Sequence, residues 1–271
     1  MLGLYDSGIG GLTILKEILK LNPSLDIVYL ADNANLPLGE KSLDEIQKIV
    51  QNGVEKLFEL GCNLVILACN TATVNTIRYL QQVWLPESKW AKTHQVLGIG
   101  QPLLEILENR KSELATKQGI IMATPATYKS GFYQSEVKQR SYTNLPVLPC
   151  LGLASTIEEF NDLKILENLK SLFTQSKYKL SDVEFVVLAC THYIWGQEQI
   201  KSMFNKEIEI IDSSHEIALK LQKYLLKHPQ FNSNSSTLNF YSTKSDLDYK
   251  YNEILKIKLG FDGEFKPLKP K

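Results

Sequence analysis

LVILACNTAT (residues 64–73) and FVVLACTHY (residues 185–193) are two similar segments that decide the fold of this sequence. Each is a continuous apolar run that ends in Ala-Cys and then turns polar. Uninterrupted Val, Ile and Leu residues are typical of a strand that is buried on both faces, as in a parallel sheet. The repeat therefore predicts two similar α/β halves, each with one cysteine, Cys69 or Cys190, at the end of a buried strand.

Short apolar runs alternate with amphipathic stretches along the rest of the chain. Ser42 and Glu45 have the spacing of a capping box, which predicts a helix that continues to about residue 60. Ser213 and Glu216 have the same spacing and predict another helix, which runs toward residue 226. The alternation predicts mainly parallel sheets with helices on both faces. The predicted strands are 1–6, 26–32, 63–69, 95–100, 119–124, 145–150, 183–190, 208–212 and 238–242.

The composition excludes several classes of protein. The chain has 271 residues, enough for two domains, and 44% of them are hydrophobic. Thirty basic and thirty acidic residues give no net charge, so a nucleic-acid partner is not expected. No apolar run is long enough to span a bilayer, and the N-terminus lacks the pattern of a signal peptide. We therefore expect a cytoplasmic enzyme without a membrane partner.

The four cysteines show no close pairing such as C-x-x-C. In a reducing cytosol we expect them to be free thiols rather than disulfides. Their spacing and the small number of histidines do not match the usual zinc patterns, so no metal is expected. Cys62 has the ordinary interpretation of a small buried hydrophobe.

Polar residues follow the predicted strands where the strands end. Ligands of open parallel sheets bind outside the carboxyl ends of the strands, so these residues are candidates for a binding site. Their side chains can cap the next helix, and free backbone N–H groups there can bind a carboxylate. For any single residue, capping alone is the simpler interpretation. The set comprises Asp6-Ser7-Gly8, Asp32-Asn33, Cys69-Asn70-Thr71, Thr124, Cys150 and Cys190-Thr191-His192.

The first of these strand ends also suggests a dinucleotide site. Gly8 and Gly10 follow a strand and open a helix, and Asp32 ends the second strand at a suitable distance. The third glycine of G-x-G-x-x-G would fall at position 13, which is Thr13. A nucleotide-dependent oxidoreductase is therefore the second hypothesis.

The two repeated thiols favour a different chemistry. If the two halves face each other, Cys69 and Cys190 approach a shared cleft from opposite sides. Inversion of a carbon centre requires this arrangement, because one group removes a proton from one face and another returns a proton to the other face. A free thiol titrates near 8.5, and nearby charges or helix N-termini tune that pKa. Asp6 and His192 are the candidate tuners, one for each thiol, although His192 could instead only cap or pack at its strand end.

The chain as a whole resembles the cofactor-independent glutamate racemases of the aspartate/glutamate racemase superfamily. The resemblance covers essentially the full length in matching order, and the Asp-Ser-Gly, Ala-Cys-Asn-Thr-Ala and Ala-Cys-Thr-His-Tyr motifs together make it specific. The matching segments are YDSGIGGLTIL, YLADNANLPLGEKS, LVILACNTAT, GIGQP, ATPATYKSGFY, CLGLASTIE, LACTHY, IIDSS and FYSTKSDLDYKYNEILKIKLG.

The resemblance implies a role for each matching residue. Cys69 and Cys190 would be the acid–base thiols, Asp6 would assist Cys69, and His192 would assist Cys190 with support from Glu158. No cofactor would be needed. The substrate, a small molecule expected to be glutamate, would be held by Ser7, Pro37, Leu38, Gly39, Asn70, Thr71, Thr124, Thr127 and Thr191.

The family's fold is two pseudo-symmetric α/β domains with the active site between them. It implies a first domain of residues 1–96 plus 208–271 and an inserted second domain of residues 97–207. It also implies a bacterial source, product D-glutamate for peptidoglycan, and a homodimer as one of the assemblies that the family uses.

Several positions depart from the family pattern. Asn35 stands where the family has Arg, Leu38 where it has Tyr, and Gln101 where it has Glu. These departures leave open another amino acid, such as aspartate, as the substrate. A non-catalytic binding protein is a further alternative, although both thiols are retained.

Overall fold

The structure, a computed structural model, describes residues 1–176, 178–233, 235–244 and 249–268. Part of the C-terminal motif (245–248) and the end of the predicted first domain (269–271) therefore lie outside the described residues. Ten strands are seen in the described chain, and every pairing between them is parallel. They are β1 (Leu2–Asp6), β2 (Ile27–Ala31), β3 (Leu64–Leu67), β4 (Gln95–Gly98), β5 (Gly119–Ala123), β6 (Val147–Pro149), β7 (Phe185–Ala189), β8 (Glu209–Ile211), β9 (Leu238–Ser242) and β10 (Phe265–Pro267).

The strands form two sheets that share one internal order. The first has six strands in the order β10-β9-β2-β1-β3-β4, and the second has four in the order β6-β5-β7-β8. Within the first sheet, β2-β1-β3-β4 has the same order as β6-β5-β7-β8, so β3 and β7 are equivalent. Cys69 follows β3 and Cys190 follows β7, which confirms the two similar halves predicted from the repeated segments.

Helices cover both faces of the sheets. The α-helices are α1 (Leu12–Leu21), α2 (Leu43–Glu59), α3 (Asn70–Tyr79), α4 (Leu85–Glu87), α5 (Gly100–Asn109), α6 (Lys111–Leu114), α7 (Pro125–Lys129), α8 (Phe132–Gln139), α9 (Leu153–Glu158), α10 (Asp162–Gln175), α11 (Gln197–Ser202), α12 (Ser214–Lys227) and α13 (Tyr249–Glu253). Short 3₁₀ turns occupy Asn33–Asn35, Leu38–Glu40, Leu180–Asp182, Thr191–Gly196 and Pro229–Phe231, and π-helical turns occupy Leu80–Trp84 and Ile254–Leu259. Each sheet has a separate hydrophobic core on each of its two faces.

The continuous burial of the central strands explains why the strand predictions hold. All residues of β1, β2, β3, β5 and β7 are buried, so each side chain faces a core regardless of its parity along the strand. All nine predicted strands are confirmed, and none of their ends is shifted by more than two residues. The tenth, β10, was not predicted, because its three residues include Lys266 and Pro267 and show no apolar run.

The two predicted capping boxes differ in outcome. The box at Ser42 is confirmed: its hydroxyl accepts from the Glu45 N–H at 3.4 Å, and the Glu45 carboxylate accepts from the Ser42 N–H at 3.0 Å. The helix after Ser213 is confirmed, but the predicted box is wrong, since the Ser213 side chain makes no cap. Asp212 takes its place and accepts from the Ser214 N–H at 2.8 Å.

The sheet membership of β4 and β8 bears on the domain boundaries. β4 pairs with β3 through Gly98, two residues beyond the predicted boundary at residue 96. β8 pairs with β7, so Glu209–Ile211 belong to the second sheet although they lie beyond the predicted boundary at residue 207. We therefore propose a division in which the second half begins after Gly98 and ends after Ile211. No helix in the described residues is long and apolar enough to cross a membrane.

A close contact between α2 and β1 gives a stability prediction. A Cβ on Gly53 would lie 2.1 Å from Cε2 of Tyr5, whose hydroxyl is held by Asp32 at 2.8 Å. Gly53→Ala should therefore destabilise the protein by about 1–2 kcal/mol, because overpacking outweighs the roughly 1 kcal/mol gained in helix propensity. Urea-induced unfolding measures the difference.

Asn52→Ala is the matched control, since Asn52 is exposed on the same helix. It should leave stability unchanged or raise it by a few tenths of a kcal/mol. Equal or greater stability of the Gly53 variant than of the Asn52 variant would contradict the packing argument.

Candidate active site

The candidate site lies where the two sheets reverse their strand order. In the first sheet β2 and β3 lie on opposite sides of β1, so the chain leaves β1 and β3 in opposite directions and a crevice opens between their ends. The second sheet repeats this arrangement between β5 and β7. The polar residues predicted at these strand ends therefore lie at one crevice in each half.

One cavity is shared by both crevices. Its wall contains both thiols, Cys69 and Cys190, each only 4% exposed. The site residues predicted from the sequence that line it are Ser7, Pro37, Leu38, Gly39, Cys69, Thr71, Thr124, Cys190 and His192. Five other predicted residues do not line the cavity, and their contacts lie behind its wall: Asp6, Asn70, Thr127, Glu158 and Thr191.

The environment of Cys69 keeps its sulfur protonated. Burial and then the negative charge of Asp6 raise the pKa of Cys69 to about 12, while the Ala72 N–H and the Ser7 hydroxyl oppose the rise. The Ser7 oxygen lies 3.7 Å from the sulfur. At neutral pH this group is therefore a thiol that can donate a proton.

The environment of Cys190 contains a cation. Burial alone would lower the pKa of His192, but the Glu158 charge, a hydrogen bond with Cys190 and a hydrogen bond with Glu158 together raise it well above its ordinary value. Nε2 of His192 lies 2.6 Å from Oε2 of Glu158. The imidazole is thus held in place by a carboxylate and carries a positive charge near neutral pH.

Asp6 joins the two halves. Its Oδ1 accepts from the Gly8 N–H at 2.8 Å, and its Oδ2 accepts from the Thr191 hydroxyl at 3.1 Å. Burial raises the pKa of Asp6, while the charge of His192 and these two hydrogen bonds lower it. The carboxylate next to one thiol is thereby anchored by the residue that follows the other thiol.

Three threonine hydroxyls form a second link across the cleft. The Thr71 oxygen lies 2.9 Å from that of Thr124 and 3.3 Å from that of Thr127. Thr124 also caps α7, since its side chain accepts from the Thr127 N–H at 3.2 Å. Asn70 is held behind them, because its Oδ1 accepts from the Tyr133 hydroxyl at 2.7 Å.

Close packing between the halves explains the glycines of the DSGIGG segment. A Cβ on Gly8 would lie 2.5 Å from the Glu158 carboxylate, and one on Gly10 would lie 2.6 Å from the Thr191 hydroxyl. Asp32 also accepts hydrogen bonds, from Tyr5 and from Asn35. The second half of the chain thus occupies the space beside these glycines where a dinucleotide would bind, which removes the basis of the nucleotide hypothesis.

The other ionisable groups add no metal site. Among the described residues there is no cluster of His, Cys, Asp and Glu that could hold a metal ion. All four cysteines are free and buried. Cys62 packs in the core of the first half, away from the cavity, whereas Cys150 lines it.

Several glutamate racemases resemble this chain in both sequence and structure. No protein-family model matches the chain. A glutamate racemase of Paracoccus denitrificans is 33% identical over 249 residues, which cover 89% of this chain and 90% of the relative. A Bacillus anthracis glutamate racemase isoform has a TM-score of 0.79 at 26% identity, and a Francisella tularensis glutamate racemase in complex with D-glutamate has 0.77 at 26%. Both alignments cover 99% of this chain and 97% of the other.

The chain belongs to the glutamate racemase family. It is accordingly an isomerase, an amino-acid racemase. The family relationship supports racemisation of glutamate, and the mixed α/β architecture with two parallel sheets agrees with that of the family's solved structures.

The three residues that depart from the racemase pattern differ in where they lie relative to the cavity. Leu38 lies in the cavity wall and is 2% exposed. Asn35 instead donates from Nδ2 to Asp32 at 2.8 Å, and Gln101 lies in a separate groove lined by α3 and α5. Of the three, only Leu38 lines the cavity.

Sequence reasoning did not identify part of the wall. The additional lining residues are Leu36, Glu40, Pro125, Cys150, Gly152 and Ala154. Leu36 and Glu40 flank a predicted substrate loop and could have been found by extending it. Tyr133 and Tyr251, which contact Asn70 and Glu158, carried no signal because tyrosines in amphipathic segments are usually core residues.

The charge of Asp6 gives a prediction about Cys69. Asp6→Asn removes a negative charge that raises the pKa of Cys69, so that pKa should fall and the thiolate fraction at pH 9 should rise. Alkylation of Cys69 by iodoacetamide, followed by mass spectrometry of its peptide, should accelerate roughly threefold or more. Cys62 in the same sample is the internal control and should react at an unchanged rate. A slower or unchanged reaction of Cys69 would show that the Asp6 charge does not act on this thiol.

Proposed function

We propose that this chain interconverts L-glutamate and D-glutamate without a cofactor, with Cys69 and Cys190 as the two acid–base groups. One observation carries the proposal: thiols from equivalent positions in the two halves line a single cavity. Inversion needs a proton acceptor on one face of the α-carbon and a proton donor on the other. Two thiols on walls supplied by different halves meet this need.

The proton transfers balance without any further reactant. A thiolate on one side takes the α-proton: the Cα–H bond breaks, its electron pair stays on Cα, and an S–H bond forms. The thiol on the other side then donates its proton to Cα and becomes a thiolate. The two sulfurs have exchanged protonation states, and the reverse reaction follows the same steps backward.

The different environments of the sulfurs suggest their starting roles. Cys69, with a pKa of about 12, begins as the proton donor. Cys190 adjoins the protonated imidazole of His192, and we assign it the role of proton acceptor. Glu158 keeps the imidazole charged and oriented, and Asp6 keeps Cys69 protonated until it donates to the α-carbon.

Hydroxyl and backbone N–H groups would hold the substrate. Among the described residues, His192 is the sole basic one in the cavity wall, so the two carboxylates of glutamate would be bound mainly by uncharged donors. The N-terminus of α3, which begins right after Cys69, offers free N–H groups for a carboxylate. The residues proposed to hold the substrate are Ser7, Pro37, Leu38, Gly39, Asn70, Thr71, Thr124, Thr127 and Thr191.

The setting of the reaction belongs to the same proposal. A cytoplasmic location fits the chemistry, because a reducing compartment keeps both thiols free. D-glutamate would supply peptidoglycan synthesis in a bacterial cell, a step supported by the family relationship alone. Homodimerisation stays a prediction that analytical ultracentrifugation tests.

Single-cysteine variants test the two-thiol mechanism. Cys69→Ala and Cys190→Ala should each lower racemisation by at least about 10²-fold, because each removes one acid–base group. In D₂O each variant keeps the thiol on one face, so each should exchange the α-proton of one enantiomer without inverting it. The two variants should exchange opposite enantiomers, measured by proton NMR with chiral chromatography.

Cys62→Ala is the matched control, since it removes a buried thiol outside the cavity and should racemise glutamate like the unaltered protein. Full racemisation by either cavity variant would contradict the mechanism. Turnover of aspartate but not glutamate by the unaltered protein would contradict the proposed substrate while leaving the mechanism in place.

A further inference from the structure

A tyrosine from the C-terminal segment contacts the carboxylate behind the site. Tyr251 lies on α13, is 4% exposed, and donates its hydroxyl hydrogen to Oε1 of Glu158. The other oxygen of Glu158, Oε2, binds Nε2 of His192. Within the described residues no other hydrogen bond to Glu158 is present. Each oxygen of this carboxylate therefore has one hydrogen-bond partner, His192 on Oε2 and Tyr251 on Oε1.

The contact is part of a longer chain of hydrogen bonds. Asn33 also hydrogen-bonds the Tyr251 side chain, and its Oδ1 accepts from the Ser242 hydroxyl at 2.8 Å and the Lys244 N–H at 3.1 Å. The Tyr251 ring packs edge-on against Phe265 at 5.5 Å. The hydrogen bond from Asn33 and the packing on Phe265 thus fix the position of the Tyr251 phenol next to Glu158.

The consequence concerns the orientation of the histidine. Because Nε2 of His192 is bound to Glu158, Nδ1 is the ring nitrogen left for Cys190. A carboxylate that is held at one oxygen only can rotate, and the imidazole bound to it would rotate too. A second anchor on Oε1 prevents this rotation.

We propose that Tyr251 is a positioning residue: its hydroxyl anchors Glu158 so that His192 presents Nδ1 to Cys190. The proposal rests on the proposed function, because Cys190 is the group served. Tyr251 touches neither the cavity nor the thiols, so it acts only through Glu158 and His192.

The charge balance around His192 sets the direction of a pH effect. The titratable groups that face the His192–Glu158 pair are Asp6 from β1, Tyr29 from β2, Tyr251 from α13 and Cys190 on the histidine's own segment. Removing the Tyr251 hydroxyl leaves His192 as the one hydrogen-bond partner of Glu158 among the described residues, so the carboxylate charge stabilises the imidazolium more strongly. The titration of His192 should therefore move to higher pH.

Tyr251→Phe tests this, because it removes the hydroxyl and keeps the ring that packs on Phe265. Tyr142→Phe is the control: its hydroxyl donates to the Leu107 carbonyl at 2.7 Å, away from the cavity. In the full-length protein, kcat for glutamate should fall roughly tenfold or more in the Tyr251 variant, with KM changed less than twofold. The control should keep both values.

A second readout does not depend on turnover. The ring nitrogens of His192, followed by ¹⁵N NMR from pH 5 to 10.5, should titrate at higher pH in Tyr251→Phe than in Tyr142→Phe or the unaltered protein. An unchanged or lower titration midpoint, or an unchanged kcat, overturns the proposal. If the unaltered protein does not racemise glutamate, the proposed function fails, and the NMR shift alone then shows whether Tyr251 acts on His192.

Discussion

The close approach of the two halves at Gly8 and Gly10 is the contact on which the rest of the site depends. Neither position has room for a Cβ, because the Glu158 carboxylate and the Thr191 hydroxyl occupy that space. The approach lets Asp6 accept a hydrogen bond from Thr191 and places both thiols in one cavity. A methyl group at either position would force apart the segments that the proposed reaction requires together.

Burial and local charge then make the two equivalent thiols different. Each follows an interior strand, β3 or β7, at the same place in the strand order that the two sheets share, so the backbones that lead to them are alike. Cys69 is buried and lies near the carboxylate of Asp6, and both effects favour the neutral thiol. Cys190 adjoins a histidine whose charge is maintained by Glu158. In the proposed mechanism, pseudo-symmetry brings the two sulfurs to one carbon, and their different neighbours suit Cys69 to donate a proton and Cys190 to accept one.

The sequence could predict the elements whose signals are local. Continuous apolar runs identify the strands because both faces of each sheet are covered, and the capping box at Ser42 lies within four residues. Residues at the ends of β1, β3, β5 and β7 could be assigned to one site because parallel strands end at one edge. The contacts that depend on the packing of distant segments could not be predicted. Tyr251 is 93 residues from Glu158, and the purpose of Gly8 and Gly10 is visible only when the second half is in place.

The fate of the α-proton during the first turnovers tests the central claim of two groups on opposite faces. L-glutamate is incubated with the protein in D₂O, and deuterium is measured at Cα in both enantiomers by mass spectrometry after chiral separation. Two separate groups predict that the D-glutamate formed is almost fully deuterated while the remaining L-glutamate still carries protium. A D-glutamate pool that retains the original protium, or equal early labelling of both enantiomers, would contradict the account, because a single group would then serve both faces.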